Sequence, residues 1–111
     1  MANAEIVINQ KGPLPISTTF QAKSDGPALL MLSGSVWAVA AQSLIGFQLL
    51  VDDVSIAAAT IFANLANSHM AVVPIAVPYT FTFGQHKITL TPMTGPTVSD
   101  QNDSFQVTVL Y

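Results

Sequence analysis

The sequence predicts an all-β fold, an antiparallel β-sandwich, on three observations. Apolar and polar residues alternate with period two in nearly every segment. Turn-forming residues interrupt the chain roughly every 8–12 residues, the spacing of a sandwich or barrel. A length of 111 residues suits one domain, 1–111, with a core large enough to need no covalent staple.

The elements follow in order. Glu5 to Asn9 reads as a short strand ending at Lys11-Gly12-Pro13. Ile16 to Gln21 is rich in β-formers and stops at Ser24-Asp25-Gly26-Pro27, a strong turn signal. Ala28 to Ser33 is almost continuously apolar, as in a strand buried on both faces. Between Leu44 and Val51, Ile45, Phe47, Leu49 and Val51 share one face. Asp52-Asp53 makes a hairpin turn into Val54-Ser55-Ile56. His69 to Val77 contains Pro74, which cannot donate to a ladder and marks an edge or a bulge. Tyr79 to Phe83, His86 to Thr91 and Phe105 to Tyr111 alternate cleanly, with a loop from Met93 to Ser104. The total is about eight or nine short strands. One segment reads two ways: Ala57-Ala58-Ala59 and Ile61 to Ala66 have helix-forming composition, so 55–67 is either strand or a short helix.

Charge is the unusual quantity. Only 8% of residues are charged, against about 25% in an average soluble domain. There is no Arg, and the lysines are Lys11, Lys23 and Lys87. A net charge of −3 with three scattered cations neither neutralises a nucleic-acid backbone nor docks to anionic lipid. The absence of Cys excludes disulfides, thiolate metal sites and a cysteine nucleophile. Met1 to Glu5 has no basic or apolar leader character. Gly26 to Val51 carries no charge, but Ser33-Gly34-Ser35, Gln42-Ser43, Gly46 and Gln48 break it, so no transmembrane helix is expected. The compartment stays open.

No motif for a nucleophile, phosphate loop or zinc site is present. Ser33-Gly34-Ser35 is the nearest approach to a nucleophile elbow and lacks its first Gly. The expectation is a chain that is not an enzyme. An enzymatic minority reading joins His69 and His86 to Asp100 or Asp103. The candidate ligand-binding residues are Trp37, His69, His86, Asp100, Asn102 and Asp103. Trp37, the single Trp, suits stacking on a sugar ring as readily as packing in a core. His69 and His86 each stand at the mouth of a strand. Asp100, Asn102 and Asp103 offer hard oxygen donors for a weak calcium site. The same residues suit a turn capped by its own side chains, which is the favoured reading. Convergence of Asp52 or Asp53 on that loop would strengthen the calcium case.

The run Gly84-Gln85-His86-Lys87-Ile88-Thr89-Leu90, followed by Asp100 to Val109, resembles the end of small bacterial and phage jelly-roll domains. These are similar to the complement globular-head and tumour-necrosis-factor fold. Ala28 to Trp37 and Leu44 to Asp52 match middle strands of that pattern, and the likeness spans residues 16 to 111. The resemblance implies a ten-stranded type of jelly roll, often a trimer, acting as a binding or adhesion head.

Two functions fit. One is a non-catalytic binding module for a glycan or a protein. The other is a structural subunit that assembles as a homo-oligomer, since strands so poor in charge leave surface for a partner to cover.

Overall fold

The computed structural model describes residues 3–93 and 95–111. It shows an antiparallel sandwich of two sheets, with ten strands and no helix among the described residues. In chain order these are β1 (Ala4–Lys11), β2 (Ile16–Ala22), β3 (Gly26–Ala38), β4 (Ser43–Val51), β5 (Val54–Ala63), β6 (Met70–Ala71), β7 (Ile75–Phe81), β8 (Gly84–Pro92), β9 (Thr97–Val98) and β10 (Ser104–Leu110). One sheet runs β1-β10-β3-β6, with β7 and β9 also paired to β3. The other runs β2-β8-β4-β5. The count exceeds the expected eight or nine because β6 and β9 are two residues each, too short to show a period.

β3 is the spine of its sheet. Its 13 residues pair with β10 over Leu29–Gly34, with β7 over Gly26–Leu32, with β6 at Ser35 and Val36, and with β9 at Trp37 and Ala38. Pro74 separates β6 from β7, as a residue without an N–H should. The double burial expected of Ala28 to Ser33 is corrected. Ala28, Leu30 and Leu32 are buried, while Met31 is 46% exposed, because only one face of β3 meets the second sheet.

The helix reading of 55–67 is also corrected. β5 pairs with β4 from Val54 opposite Val51 to Ala63 opposite Ser43. Helix propensity gives way because the ladder buries Ala59 and Ala63 completely. In β4, Ile45, Phe47, Leu49 and Val51 all enter the core, the face the alternation gave them. Phe47 meets Phe105 edge-on, ring centres 5.3 Å apart. Gly46 lets β5 come close: a Cβ there would lie 2.1 Å from the Ala59 carbonyl oxygen.

The β4–β5 hairpin turns through Asp52 (φ 50°) and Asp53 (φ 68°), both left-handed, as a two-residue turn between twisted strands requires. His86, in β8, ties this hairpin down. Its Nδ1–H donates to Asp52 Oδ2 at 2.6 Å and its Nε2–H to the Thr82 carbonyl at 2.7 Å. Both ring nitrogens face acceptors, so the imidazolium is favoured. The Asp52 hydrogen bond, then that of Thr82, raises the His86 pKa above 6.5 against the opposing effect of burial. The same His86 bond, with the Lys87 N–H at 2.9 Å, lowers the Asp52 pKa below 3.8.

Two outcomes follow from this geometry. Gly46→Ala forces backbone apart and lowers stability by about 3 kcal/mol, the upper range for overpacking, read from denaturant melts. The His86–Asp52 tie is complete between the two ordinary pKa values. As pH rises through the raised His86 pKa, and as pH falls through the lowered Asp52 pKa, its contribution is lost. Melting temperature therefore declines above pH 6.5, and His86→Gln flattens that decline when the two proteins are scanned side by side.

Candidate functional site

Five of the six sequence candidates gather at the far end of β3, around the Asp103 carboxylate. The path of the chain explains this. After β5, the Asn67 N–H donates to the Ala38 carbonyl at 2.7 Å, and the Val72 N–H to that of Gly34 at 2.9 Å. Residues 67–72 are thereby strapped along the last third of β3, and His69 lies over Trp37. Their ring centres are 5.8 Å apart with planes tilted by 48°. On the other side, β10 starts beside Gly34 and brings the loop before it to the same place.

Asp103 is the centre of this arrangement and has no solvent exposure. Its Oδ1 accepts from His69 Nδ1 at 2.7 Å and from the Ser35 hydroxyl at 2.8 Å. Its Oδ2 accepts the Asp100 N–H at 2.9 Å. The backbone closes the loop: Asp103 N–H donates to the Asp100 carbonyl at 3.0 Å, and the Gly12 N–H to the Asp103 carbonyl at 2.8 Å. Burying a carboxylate is costly unless its lone pairs are met by donors, and here three meet them. Because Nδ1 is the donor, His69 Nε2 faces outward, 3.8 Å from Asp100 Oδ2. The hydrogen bond that His69 donates to Asp103 is the first cause that raises the His69 pKa, with the nearby charges of Asp103 and Asp100 adding to it and burial opposing. The result is an exposed, proton-rich imidazole beside a half-exposed carboxylate, with an indole against the ring.

The candidates differ in role. Trp37 is partly buried, and its indole N–H is buried without an acceptor among the described residues. Such an orphan donor costs about 1–3 kcal/mol. Asn102 is exposed and reaches the cluster through its N–H, which donates to Asp100 Oδ1 at 2.8 Å. The loop is thus a turn capped by its own aspartates. One nitrogen of His69 and one oxygen each of Asp100 and Asp103 lie within 4.8 Å of one another, so these are the residues that could hold a cation. The stronger calcium case fails on topology: Asp52 and Asp53 are at the opposite end with His86 and Lys87.

His86 does not join the others. Its ring packs on Phe81, which pairs with Gly26 at the start of β3, whereas His69 sits beside Trp37, eleven residues later. At a strand rise of about 3.3 Å per residue the two imidazoles are on the order of 30 Å apart. The enzymatic constellation of His69, His86 and an aspartate is therefore not formed. Sequence reading missed Ser35, noticed only as part of an incomplete nucleophile motif. Its hydroxyl is committed to Asp103, and the hydrogen-bonding register alone reveals that.

Comparison with known proteins bears on the fold. No protein-family model matches the chain, and no curated protein matches it. Among solved structures it is similar to a family 35 carbohydrate-binding module from Clostridium thermocellum, with 11% identity and a TM-score of 0.56 over 96% of this chain and 90% of that one. It is similar also to the CBM36-1 domain of a multidomain xylanase from the hindgut metagenome of Trinervitermes trinervoides, with 12% identity and a TM-score of 0.56 over 98% and 97%. A β-glucosidase from Paenibacillus barengoltzii gives 10% identity and a TM-score of 0.59 over 98% of this chain, which spans 10% of that enzyme. These likenesses support the jelly-roll expectation and correct its finer part: solved structures of this shape include carbohydrate-binding modules, and the likeness to complement heads or tumour-necrosis-factor proteins is not supported. They lend no support to a trimer or to an assembly subunit. No helix among the described residues is long and apolar enough to cross a membrane. The chain has the sandwich fold seen in carbohydrate-binding modules of families 35 and 36.

Proposed function

We propose that the chain is a non-catalytic glycan-binding module whose ligand contacts His69, Asp100 and Trp37 at the end of β3. The observation that carries this reading is the buried Asp103, which fixes an outward-facing imidazole beside a carboxylate and an indole. That set suits a sugar. A donor and an acceptor a few ångströms apart take adjacent hydroxyls, and the partly buried indole beside them offers an apolar ring surface. The cluster has no nucleophile poised on its base, because Ser35 donates to Asp103 and not to His69. The fold neighbours add weight, since structures of this shape include carbohydrate-binding modules.

Asn102, on the exposed rim of the same loop, belongs to the proposed surface. His86 does not, and it acts instead as the tie on the β4–β5 hairpin. Because Trp37 is the single tryptophan, its fluorescence reports on this site alone. Titration with a panel of soluble oligosaccharides is expected to shift that emission. His69→Ala and Asp100→Ala should each weaken the response about tenfold, the size of one lost hydrogen bond to a charged group. A flat signal across the panel, together with no retention on any glycan of an array, would remove the reading.

A further inference from the structure

The outer face of the six-stranded sheet carries a hollow that leads away from this site. Along β3, Leu30, Leu32, Val36 and Ala38 are buried against the second sheet, so Met31, Ser33, Ser35 and Trp37 point outward. The register sets these side chains in rows that cross the sheet. Asn9, Gln106 and Ser33 form one row across β1, β10 and β3. Thr108, Met31 and Ala76 form the next, across β10, β3 and β7. Toward the site, Ser35 stands opposite Ala71, and the Ser104 N–H reaches its hydroxyl at 3.4 Å.

Small side chains in these rows leave two adjoining hollows. One, of about 350 Å³, is lined by Asn9, Ser33, Ser35, Ser104 and Gln106 among others. The second, of about 270 Å³, is lined by Met31, Thr108 and Pro74 among others and shares Ser33 and Gln106 with the first. Successive rows are two residues apart, so from Met31 to Trp37 the face runs about 20 Å at the usual strand rise. No Asp, Glu, Lys or His lines either hollow. The polar lining is hydroxyl and carboxamide only. Gln106 Nε2 makes a long 3.4 Å bond to Asn9 Oδ1, which uses neither the Gln106 side-chain carbonyl nor the Asn9 amide hydrogens, and both residues line the hollow.

We propose that this groove binds the length of a neutral, hydroxyl-rich oligosaccharide whose end meets Trp37 and His69. The inference rests on the glycan reading above and adds the ligand's class and path. Neutral amides and hydroxyls pair with sugar hydroxyls at the cost of little desolvation, and Met31, 46% exposed, offers an apolar patch for a ring face. Charge decides against an acidic chain. No charged side chain lines either hollow, so a uronate or a phosphate would give up its hydration there with no cation in return, while Lys11 stands beyond the lining, in the row of Ser104.

The groove is tested by calorimetry with cellohexaose, xylohexaose, mannohexaose and hexagalacturonate, each beside its disaccharide. Three proteins are compared with the wild type: Ser33→Trp, which fills the hollow from an outward-facing position; Gln106→Ala, which keeps its shape; and His69→Ala. Melting curves confirm that each is folded. At least one neutral hexasaccharide should bind about tenfold or more tighter than its disaccharide. Ser33→Trp should abolish that gain, Gln106→Ala should weaken the hexasaccharide about tenfold, and hexagalacturonate should not bind. If His69→Ala loses binding while both groove variants bind as the wild type does, the groove is overturned and the glycan reading stands. Preference for hexagalacturonate overturns the neutral class. If the wild type binds none of the four while the wider oligosaccharide panel shifts the Trp37 emission, the groove falls and the glycan reading stands; if that panel and the array are silent too, both fall.

Discussion

The buried carboxylate of Asp103 is the interaction on which the functional end of this molecule depends. One side chain draws together the loop before β10 through Asp100, the last third of β3 through Ser35, and the strap after β5 through His69. These segments are distant in sequence, and hydrogen bonds to one fully buried acceptor join them. The energetics are asymmetric. A buried ion pair adds little over a well-packed apolar substitute, but removing one partner from it costs about 3–5 kcal/mol. Asp103 is therefore better understood as a device of geometry than as a source of net stability. It specifies which imidazole nitrogen faces solvent, and with that the chemistry the end of the sandwich can present.

The same economy explains the low charge of the chain. Five of its six acidic groups are spent on ties. Asp25 accepts the Phe83 N–H at 2.6 Å. Asp52 holds His86, and Asp53 takes Lys87 at 3.1 Å. Asp100 caps the Asn102 N–H, and Asp103 organises the far end. The hollows on the outer face of the six-stranded sheet are lined by serines, amides and a threonine, with Met31 and Pro74 beside them. A neutral surface of that kind selects by hydrogen-bond geometry and shape, with little long-range steering.

Much of the frame was legible in the residues. The alternation in β4 named its core face, Pro74 marked a break in the edge, and Asp52-Asp53 announced a hairpin. Each is a local rule acting on neighbouring positions. The misreadings came where a distant partner decides. Composition in 55–67 allowed a helix, and nine paired positions of β4 made it a strand. Ala28 to Ser33 looked doubly buried because leucines and a methionine filled both faces, although one of those faces meets no second layer. The site was legible by residue type and not by arrangement. Trp37, His69, Asp100, Asn102 and Asp103 were each singled out for their chemistry, but an aspartate that caps a turn and one that anchors a core look alike in a sequence. Only the register of β10 on β3 shows that Asp103 lies inside. His86 had the same apparent credentials as His69, and topology alone sends it to the other end.

A direct measurement is the titration of the His69 imidazole, followed by NMR in the wild type and in Asp103→Asn. Asparagine keeps the size of the side chain and removes the charge. If Asp103 fixes the site, His69 titrates above 6.5 in the wild type, and in the variant it falls back toward the ordinary value while the Trp37 emission shifts. A His69 titration and a Trp37 spectrum that stay the same in Asp103→Asn would contradict the role assigned to the buried carboxylate.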